Sequence, residues 1–282
     1  MPQLRWFVTG CSSGFGETFA WSILARGDKV VATTRGDASR LSALKKAGAE
    51  TVSLDITASA ADIKAVVDKV LESGPIDVIL NNAGYIEAGI AEETNYKSYL
   101  ASFETNFFGV VKATQAVLPH FREKKSGTVV FIGSSGGLGG EPGAGPYCAA
   151  KFALEGWYEC LKQEIAQFGI KSVIFEPGVF RTKIMDANNI KFRQEPITDY
   201  DGLRNIVQQY VQDITGKQPG DAKKAIEIML DVVKGEGVAE GKELPNRLPL
   251  GPDCLATLRK IAVGNLAICN EWEDVIRNTN HD

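Results

Sequence analysis

The 282-residue sequence is poor in the residues that metal sites and disulfide frameworks require. It has two histidines, His120 and His281, and five cysteines that are scattered without any C-x-x-C spacing. An odd number of scattered cysteines is typical of reduced thiols in a reducing compartment, and it argues against a disulfide framework or a zinc site. We therefore expect no metal centre in this protein.

The sequence also lacks long apolar runs and clusters of basic residues. No run approaches the length of a transmembrane helix, and the first ten residues, MPQLRWFVTG, contain no apolar signal-peptide core. The formal net charge is −4 and Lys and Arg form no block, which argues against a nucleic-acid surface. The composition, 44% hydrophobic and 23% charged, is typical of a globular protein. These features predict a cytoplasmic protein that binds neither membranes nor nucleic acid.

A glycine-rich turn follows the first predicted strand. An apolar run at 4–9 leads into TGCSSGFG at 9–16 and then into a helical pattern at 17–26. Glycines allow the backbone to approach a pyrophosphate, and a helix N-terminus supplies N–H groups and a positive dipole. The turn therefore predicts a phosphate-binding loop. A tight strand-to-helix connection without a ligand has the same pattern.

The end of the second strand, at 29–34, bears on cofactor preference. An acidic residue at this place usually holds the ribose hydroxyls of NAD. Here Thr34 and Arg35 occupy it, and Arg40 lies a turn further on. Because a guanidinium can bind a 2′-phosphate, these residues favour NADP(H) over NAD(H). The alternative is that Arg35 is a solvated loop residue.

Strands and helices alternate through the first two thirds of the sequence. Further strands are expected at 51–54, 77–80, 128–132 and 170–175, with helices at 58–72, 96–124 and 147–168. This order predicts the α/β class, with a doubly wound parallel sheet of about seven strands and helices on both faces. Asn106 is a poor helix former inside the 96–124 pattern, and Gly109 hints at a local break there.

The whole chain, 1–282, is expected to form one domain, because no linker or internal repeat is visible. Residues 4–182 would form its core. Residues 185–219 are mixed polar and apolar, which predicts short helices over the site, a substrate lid. Residues 220–276 are expected to add a helix at 221–234, an edge strand at 246–250 and a helix at 252–276.

The stretch at 133–156, GSSGGLGGEPGAGPYCAAKFALEG, contains the residues best suited to proton transfer. Tyr147 and Lys151 are four residues apart, so a helix places them on one face, one turn apart. A neighbouring ammonium favours phenolate and is expected to lower the tyrosine pKa from about 10. Tyr147 would then be a good proton donor or acceptor.

The same stretch also fits the G-x-S-x-G pattern of hydrolases, with Ser135 as the nucleophile. That pattern requires a helix directly after the serine, and then an acid and a histidine further on. Here glycines and Pro142 follow, and the only later histidine, His281, is one residue from the end. We therefore reject a hydrolase.

Taken together, five motifs resemble the classical short-chain dehydrogenase/reductase family, and more weakly its branch of hydroxysteroid dehydrogenases and carbonyl reductases. They occur in order at 9–16, at Asp55, at 81–84 (NNAG), at Ser134 with the Tyr147 and Lys151 pair, and at 177–182 (PGVFRT). The resemblance implies a single Rossmann-type domain that uses a nicotinamide cofactor. It covers roughly residues 4–182.

The resemblance also implies a role for each residue. The 4-pro-S face of NADPH would deliver hydride to a ketone or aldehyde, while Tyr147 protonates the alkoxide or acts in the reverse sense on a secondary alcohol. Lys151 would bind the nicotinamide ribose, Ser134 the carbonyl oxygen, and Asn106 a water that links Lys151 to solvent. Asp55 would bind the adenine amine. The expected cofactor-binding residues are Gly10, Ser12, Ser13, Gly14, Phe15, Gly16, Arg35, Asp55, Ile56, Asn81, Asn82, Ala83, Gly84, Tyr147, Lys151, Pro177, Gly178, Val179 and Thr182.

A bulky cyclic or aromatic ketone is the expected substrate, because the lid and neighbouring loops carry aromatic residues. Besides Ser134 and Tyr147, the expected substrate contacts are Glu141, Met185 and Phe192, with Tyr85, Ile86 and Tyr200 nearby. A homodimer or homotetramer is also expected, since the helices at 99–123 and 148–168 carry many apolar residues and form a subunit interface in the family. These are Phe103, Phe107, Phe108, Phe152, Trp157 and Tyr158.

Two other activities remain open. A dinucleotide-binding sensor without turnover would need no matched proton donor and relay, so the intact set at 106, 134, 147 and 151 favours an enzyme. An epimerase or dehydratase could use the same tyrosine and lysine.

Overall fold

The computed structural model describes residues 3–185, 190–192 and 195–281. Its centre is a parallel sheet of seven strands in the order β3-β2-β1-β4-β6-β7-β9. These strands are β1 (Arg5–Val8), β2 (Lys29–Thr34), β3 (Glu50–Ser53), β4 (Val78–Asn81), β6 (Gly127–Ile132), β7 (Ile170–Pro177) and β9 (Arg247–Leu250). The predicted α/β class and the single seven-stranded domain are confirmed.

Helices cover both faces of the sheet, and this explains why the central strands read as continuous apolar runs. They are α1 (Gly14–Ala25), α2 (Ser42–Lys46), α3 (Ala60–Glu72), α4 (Tyr96–Phe103), α5 (Gly109–Lys124), α6 (Gly145–Ala166), α7 (Asp201–Ile214), α8 (Ala222–Lys234), α9 (Pro252–Glu271) and α10 (Glu273–Arg277). On one face, Phe19 of α1 and Met229 of α8 pack on the sheet. On the other, Val67, Val117 and Tyr158 from α3, α5 and α6 do so.

The single helix expected at 96–124 is interrupted. A π-helical turn, Glu104–Phe108, separates α4 from α5. Gly109 begins α5 where a Cβ would stand 2.8 Å from the carbonyl oxygen of Ile56, so the helix passes very close to this loop. The turn holds Asn106, which is fully buried. The break hinted at by Asn106 and Gly109 is therefore real, and such turns often occur at functional sites.

The C-terminal part completes the sheet edge and adds the described portion of the lid. Pro249 lies on the edge strand β9, as expected for a residue that cannot donate to a ladder. The short strands β5 (Glu87–Ala88) and β8 (Lys191–Phe192) pair in parallel beside α7. Residues 186–189 and 193–194 of the expected lid lie outside the described residues.

The helix expected at 252–276 is two helices, α9 and α10, which meet at Trp272. Most of α9 and all of α10 are exposed. The backbone of Trp272 departs from helical geometry, with φ −107° and ψ 10°, and so separates the two helices. Within residues 3–185, 190–192 and 195–281, every helix is too short or too polar to cross a lipid bilayer.

Candidate active site

A cavity of about 1280 Å³ opens along the carboxyl ends of the parallel strands. Ligands of open α/β folds bind at this edge. Its floor is made by the loops after β1, β2, β3, β4, β6 and β7, and its outer wall by α7 and the start of α9. Ser134, Tyr147, Lys151 and Asn106 all line it, so the four expected catalytic residues meet at one place.

The glycine-rich turn forms one end of this cavity. Gly10 and Gly14 have φ values of +76° and +61°, in the left-handed region that favours glycine. Gly10, Ser12, Ser13, Gly14 and Phe15 line the cavity as expected. Gly16 does not line it: a Cβ there would stand 2.2 Å from the Gly10 carbonyl oxygen, so this glycine allows the helix to pack on the turn. The turn thus fits a phosphate group.

Basic side chains lie at the far side of the turn. Arg35 and Arg40 both line the cavity, beside Leu54, Asp55 and Ile56. Burial alone would raise the pKa of Asp55. Hydrogen bonds from Thr57 and the charges of Arg35 and Lys112 outweigh burial and hold this pKa below its usual range. Asp55 is therefore an ionised acceptor. Arg40 Nη1 donates to the Arg35 carbonyl oxygen at 3.4 Å, so the two basic side chains lie together at this end of the cavity.

The two adjacent asparagines after β4 have different roles. Asn82 lines the cavity and ties β4 to β1, since its Nδ2 donates to the carbonyl oxygens of Thr9 at 2.9 Å and Gly10 at 3.2 Å. Ala83 and Gly84 also line the cavity. Asn81 points away from it into the core, where its Nδ2 donates to Thr114 Oγ1 at 3.0 Å. The Asn81 side chain is therefore not part of the cavity lining, because side chains alternate along a strand, and its place among the cofactor-binding residues stays a prediction.

Tyr147 and Lys151 lie one turn apart on α6, as predicted. The Lys151 Nζ donates to the Ile132 carbonyl oxygen at 2.7 Å and lies 5.9 Å from the centroid of the Tyr147 ring. Ser134 caps the short turn after β6, where its Oγ accepts from the Gly136 N–H at 3.0 Å. A hydrogen bond also joins Ser134 to Tyr147.

The expectation that Lys151 lowers the tyrosine pKa is contradicted. Burial raises the pKa of Tyr147 to about 12, and the hydrogen bond with Ser134 offsets only part of this. Burial also lowers the pKa of Lys151 to about 8, against the opposing charge of Glu155. Desolvation is the largest influence on both groups: Lys151 is buried, and Tyr147 is half-buried at the wall of the cavity. In this state Tyr147 is a neutral phenol, which can donate a proton.

The π-helical turn places Asn106 beside these groups. Its Nδ2 donates to the carbonyl oxygens of Ser102 and Tyr85, each at 3.1 Å, and its Oδ1 accepts from the Tyr85 N–H at 3.2 Å. A Cβ on Gly84 would stand 2.7 Å from the Asn106 Oδ1. The side chain is thus fixed between the loop after β4 and the α4 helix.

The loop after β7 closes the cavity near Tyr147. Pro177, Gly178, Val179 and Thr182 line it, as expected. Asp253, at the start of α9, also lines it, and its Oδ2 accepts from the Val179 N–H at 2.7 Å. The Val179 backbone N–H, one of the expected cofactor contacts, is therefore engaged by Asp253 in this structure. No motif marked Asp253, which comes from a helix 74 residues further along the chain.

The outer wall of the cavity is mostly apolar. Tyr85, Ile86, Glu141 and Met185 line it, as expected. Phe192 does not line the cavity and packs instead with Ile86 in a small cluster around Val211. Tyr200 is also outside the lining and donates from its hydroxyl to Glu92 at 2.8 Å. The expected lid region supplies five further residues, all from α7, that sequence reasoning did not name. They are Leu203, Ile206, Val207, Tyr210 and Val211, a spacing that an amphipathic helix pattern could have revealed.

The described part of the chain contains no cluster of three His, Cys, Asp or Glu side chains arranged for a metal ion. The donor set does fit a dinucleotide. A left-handed glycine turn and two arginines lie at one end of the cavity, an ionised Asp55 beside them, and the tyrosine, lysine and serine at the other end.

Comparisons with known proteins agree with this arrangement. Residues 5–193 match the family described as short chain dehydrogenase. The chain is 34% identical to oxidoreductase BOA17 of Botryotinia fuckeliana over 274 residues, which cover 96% of this chain and 97% of that protein. It is 37% identical to a short-chain dehydrogenase from Streptomyces avermitilis, with a TM-score of 0.87 over 99% of this chain and 100% of that one.

A more distant solved structure is the actinorhodin polyketide ketoreductase with NADPH. It is 26% identical, with a TM-score of 0.71 over 88% of this chain and 95% of that one. The matches to the family and to full-length relatives are sufficient to assign the chain. It belongs to the short-chain dehydrogenase/reductase family of oxidoreductases.

Proposed function

We propose that this protein is an NADP(H)-dependent reductase of ketones or aldehydes, which can also oxidise secondary alcohols. The observation that carries the proposal is the meeting of Ser134, Tyr147, Lys151 and Asn106 in the cavity that also holds the glycine-rich turn. A proton donor and its relay would serve no purpose in a sensor. Bound NADPH would supply the hydride, and the chain's own residues would do the rest.

In this mechanism Ser134 donates a hydrogen bond to the substrate carbonyl oxygen, where negative charge develops. Tyr147 protonates that oxygen as the alkoxide forms. Its raised pKa in the buried site keeps the proton on the phenol until an alkoxide, a stronger base, needs it. Lys151 binds the ribose hydroxyls and its charge stabilises the phenolate left behind. Asn106, fixed by Ser102 and Tyr85, holds a water through which the proton is restored.

A direct test is oxidation of NADPH by the purified protein with a panel of bulky and small ketones. We expect turnover that Tyr147→Phe abolishes. Cofactor binding without turnover on any carbonyl or alcohol would support the sensor. Turnover that interconverts stereoisomers without net loss of NADPH would support an epimerase.

The preference for NADP(H) rests on Arg35 and Arg40 at the ribose end of the cavity. A charge-assisted contact to a 2′-phosphate is worth about 1.5–3 kcal/mol, so Arg35→Ala should raise the KM for NADPH by about 10- to 100-fold. The KM for NADH should stay constant, since NADH has no 2′-phosphate. An equal rise of KM for NADPH and NADH would contradict the preference for NADP(H), but it would not contradict the proposed reductase activity.

The substrate class follows from the wall of the cavity. Ile86, Met185, Ile206 and Val207 offer an apolar surface, while Glu141 is a polar group at the rim. These residues suit a bulky cyclic or aromatic ketone. Ile206→Ser should weaken binding of such a ketone while leaving a small ketone unaffected, which steady-state KM values would show. Equal KM changes for both ketones would contradict this choice.

We further propose that the protein is a homodimer or homotetramer through α4, α5 and α6. Leu100 of α4, Phe108 of the π-helical turn between α4 and α5, and Phe152 of α6 are large apolar side chains that remain 46–48% exposed. Phe107 and Trp157 pack edge to face, and Tyr158 is buried in the core, so only part of the expected apolar set is available. Phe108→Glu combined with Phe152→Glu should yield a monomer in light scattering. An unchanged mass would contradict this interface.

A further inference from the structure

Two buried carboxyl groups lie behind Lys151 and take no part in the mechanism above. Glu155 follows Lys151 by four residues on α6, and Glu176 stands on β7. Their side chains are 9% and 0% exposed. Among the described residues, no hydrogen-bond donor reaches Glu155 Oε1 or either carboxyl oxygen of Glu176. Buried polar atoms normally have partners, so these three oxygens require an explanation.

One cation faces the two carboxyl groups from the edge strand β9. The Arg247 Nη2 lies 3.4 Å from Glu155 Oε2, and its Nε lies 3.6 Å from Glu176 Oε1. Arg247 is also shared with Glu159, at 3.1 Å, and its side chain is 34% exposed. The other titratable groups that act on the pair or feel its charge are Lys151 and Tyr158 of α6, and Cys254 of α9 with its neighbour Asp253.

A single, partly exposed guanidinium cannot balance two buried carboxylates and Glu159 as well. Burial and the charge of Glu176 raise the pKa of Glu155 to about 8. Burial likewise raises the pKa of Glu176, although Arg247 opposes this. When two carboxyl groups share one site, one of them keeps a proton. At neutral pH the pair therefore holds one proton and carries a charge of −1.

The pair reaches Lys151 through the end of β6. Lys151 Nζ donates to the carbonyl oxygen of Ile132, and the next residue is Gly133. A Cβ at Gly133 would stand 2.7 Å from Glu155 Oε1. A Cβ at Gly137 would stand 3.2 Å from both the Glu155 Cγ and the Lys151 carbonyl oxygen. Two glycines thus leave the space in which the carboxyl group approaches the peptide that holds the ammonium.

We propose that Glu155 and Glu176 form a proton-sharing pair behind Lys151, and that the proton they share sets the pH at which the ammonium held at the end of β6 loses its own. Glu155 is a positioning residue, since it acts through Lys151 and touches neither substrate nor cofactor. The proposal rests on the proposed function, because it concerns the lysine that would support Tyr147.

The two carboxyl groups have opposite effects on Lys151. An ionised Glu155 favours the ammonium, so Glu155→Gln removes this support and Lys151 loses its proton at a lower pH. Glu176 keeps Glu155 protonated by repulsion. Glu176→Gln therefore allows Glu155 to ionise at neutral pH, and Lys151 stays charged to a higher pH. A merely structural role would produce no such opposition.

The first test is the alkaline limb of the pH profile of kcat with NADPH. We expect Glu155→Gln to move this limb to lower pH and Glu176→Gln to move it to higher pH, each by about half to one unit. Glu159→Gln is the matched control, because its carboxyl also contacts Arg247 but is 43% exposed and screened by solvent. It should move the limb by less than either. Shifts of the same sign in both variants, or none, would overturn the proposal.

The second test needs no turnover, so it separates this proposal from the proposed reaction. Infrared titration of the unsubstituted protein should show one protonated carboxylic acid at neutral pH that ionises at about pH 8. Glu155→Gln and Glu176→Gln should each abolish this signal, and Glu159→Gln should retain it. Should both carboxyl groups be ionised at neutral pH in the unsubstituted protein, the pair does not share a proton. This result is decisive even where a variant fails to fold.

Discussion

The loops at the ends of the sheet and the helical wall above them build the two sides of one cavity by different means. On the sheet side, backbone geometry and polar side chains set the positions, as in the left-handed Gly10 and Gly14 and the tethers of Asn82. On the other side, α7 contributes the apolar residues of one face, Leu203, Ile206, Val207 and Val211. On the sheet side, each position therefore requires a particular residue. On the α7 side, any apolar residue of similar size would form the same surface.

The difference explains where chemistry and selectivity reside. Charge can be stabilised in a transition state only by groups held rigidly beforehand, so Ser134, Tyr147 and Lys151 stand on the sheet edge and on the long helix α6. An apolar wall can change its residues with little effect on the fold, because burial of apolar area is not directional. We therefore expect substitutions on the two sides to separate kcat from KM.

The largest expected effect belongs to the proton donor. Tyr147→Phe removes only a hydroxyl, yet should lower kcat by about 10²–10⁴-fold, the usual contribution of a general acid. Tyr200→Phe makes the same chemical change on the other side, where the hydroxyl only bonds Glu92, and should leave kcat unaltered. Steady-state kinetics with NADPH would check both. Comparable losses in the two variants would show that the sides are not functionally distinct.

A smaller effect is expected from the packing of the glycine-rich turn. Gly16→Ala would place a Cβ 2.2 Å from the Gly10 carbonyl oxygen, and overpacking of this kind costs about 1–3 kcal/mol. We expect a lower melting temperature and weaker binding of NADPH, measured by fluorescence titration. Gly202→Ala on α7 meets no atom within 4 Å and is the control. Its stability should be equal or slightly higher, since alanine favours the helix.

The ion pair between Arg204 and Glu93 anchors α7 to the loop after β5. Arg204 Nε donates to Glu93 Oε2 at 3.1 Å, and the same carboxylate accepts from the Ile197 N–H at 2.8 Å. Arg204→Met should release the helix and raise the KM for a bulky ketone by about tenfold, which is ~1.4 kcal/mol of binding. Arg204→Lys keeps the charge but loses the two parallel N–H donors of the guanidinium. Its KM should lie between those of the unsubstituted protein and Arg204→Met. An unchanged KM would mean that the anchor is dispensable.

The same contact predicts a pH dependence. Hydrogen bonds from Arg204 outweigh burial and hold the pKa of Glu93 below its ordinary value. A lowered pKa in the folded protein means that the contact stabilises at neutral pH and is lost as the pH falls through that lowered value. The KM for a bulky ketone should therefore rise in acid for the unsubstituted protein. It should rise less for Arg204→Met, which has no ion pair to lose.

The smallest effect is expected at the end of the chain. Deletion of residues 272–282 removes exposed side chains such as Trp272 and Val275, which are 52% and 59% exposed. The free energy of unfolding should change by less than about 0.5 kcal/mol, as chemical denaturation would show. A larger loss would reveal that these side chains are covered in solution.

Sequence patterns predicted the sheet side well, because strand, glycine turn and helix are local features. The strands that end just before Asp55, Asn82 and Ser134 were all located to within a few residues. The patterns failed where distant segments decide. Asp253 engages the Val179 N–H from another helix, and Asn81 donates to Thr114 of α5, 33 residues further along the chain. The pKa of Tyr147 also depends on burial, which no spacing of residues conveys.

The sequence by itself determined the fold class and the family, since each depends on local periodicity or on short motifs. The residues proposed for proton transfer also came from a short motif, and their role stays a prediction. The tertiary structure decided the rest. It set the residues of α7 against the cavity, brought Glu155 and Glu176 together behind Lys151, and raised the pKa of Tyr147 by desolvation. These properties arise from desolvation and from contacts between segments far apart in the chain, and such contacts exist only once the chain has folded.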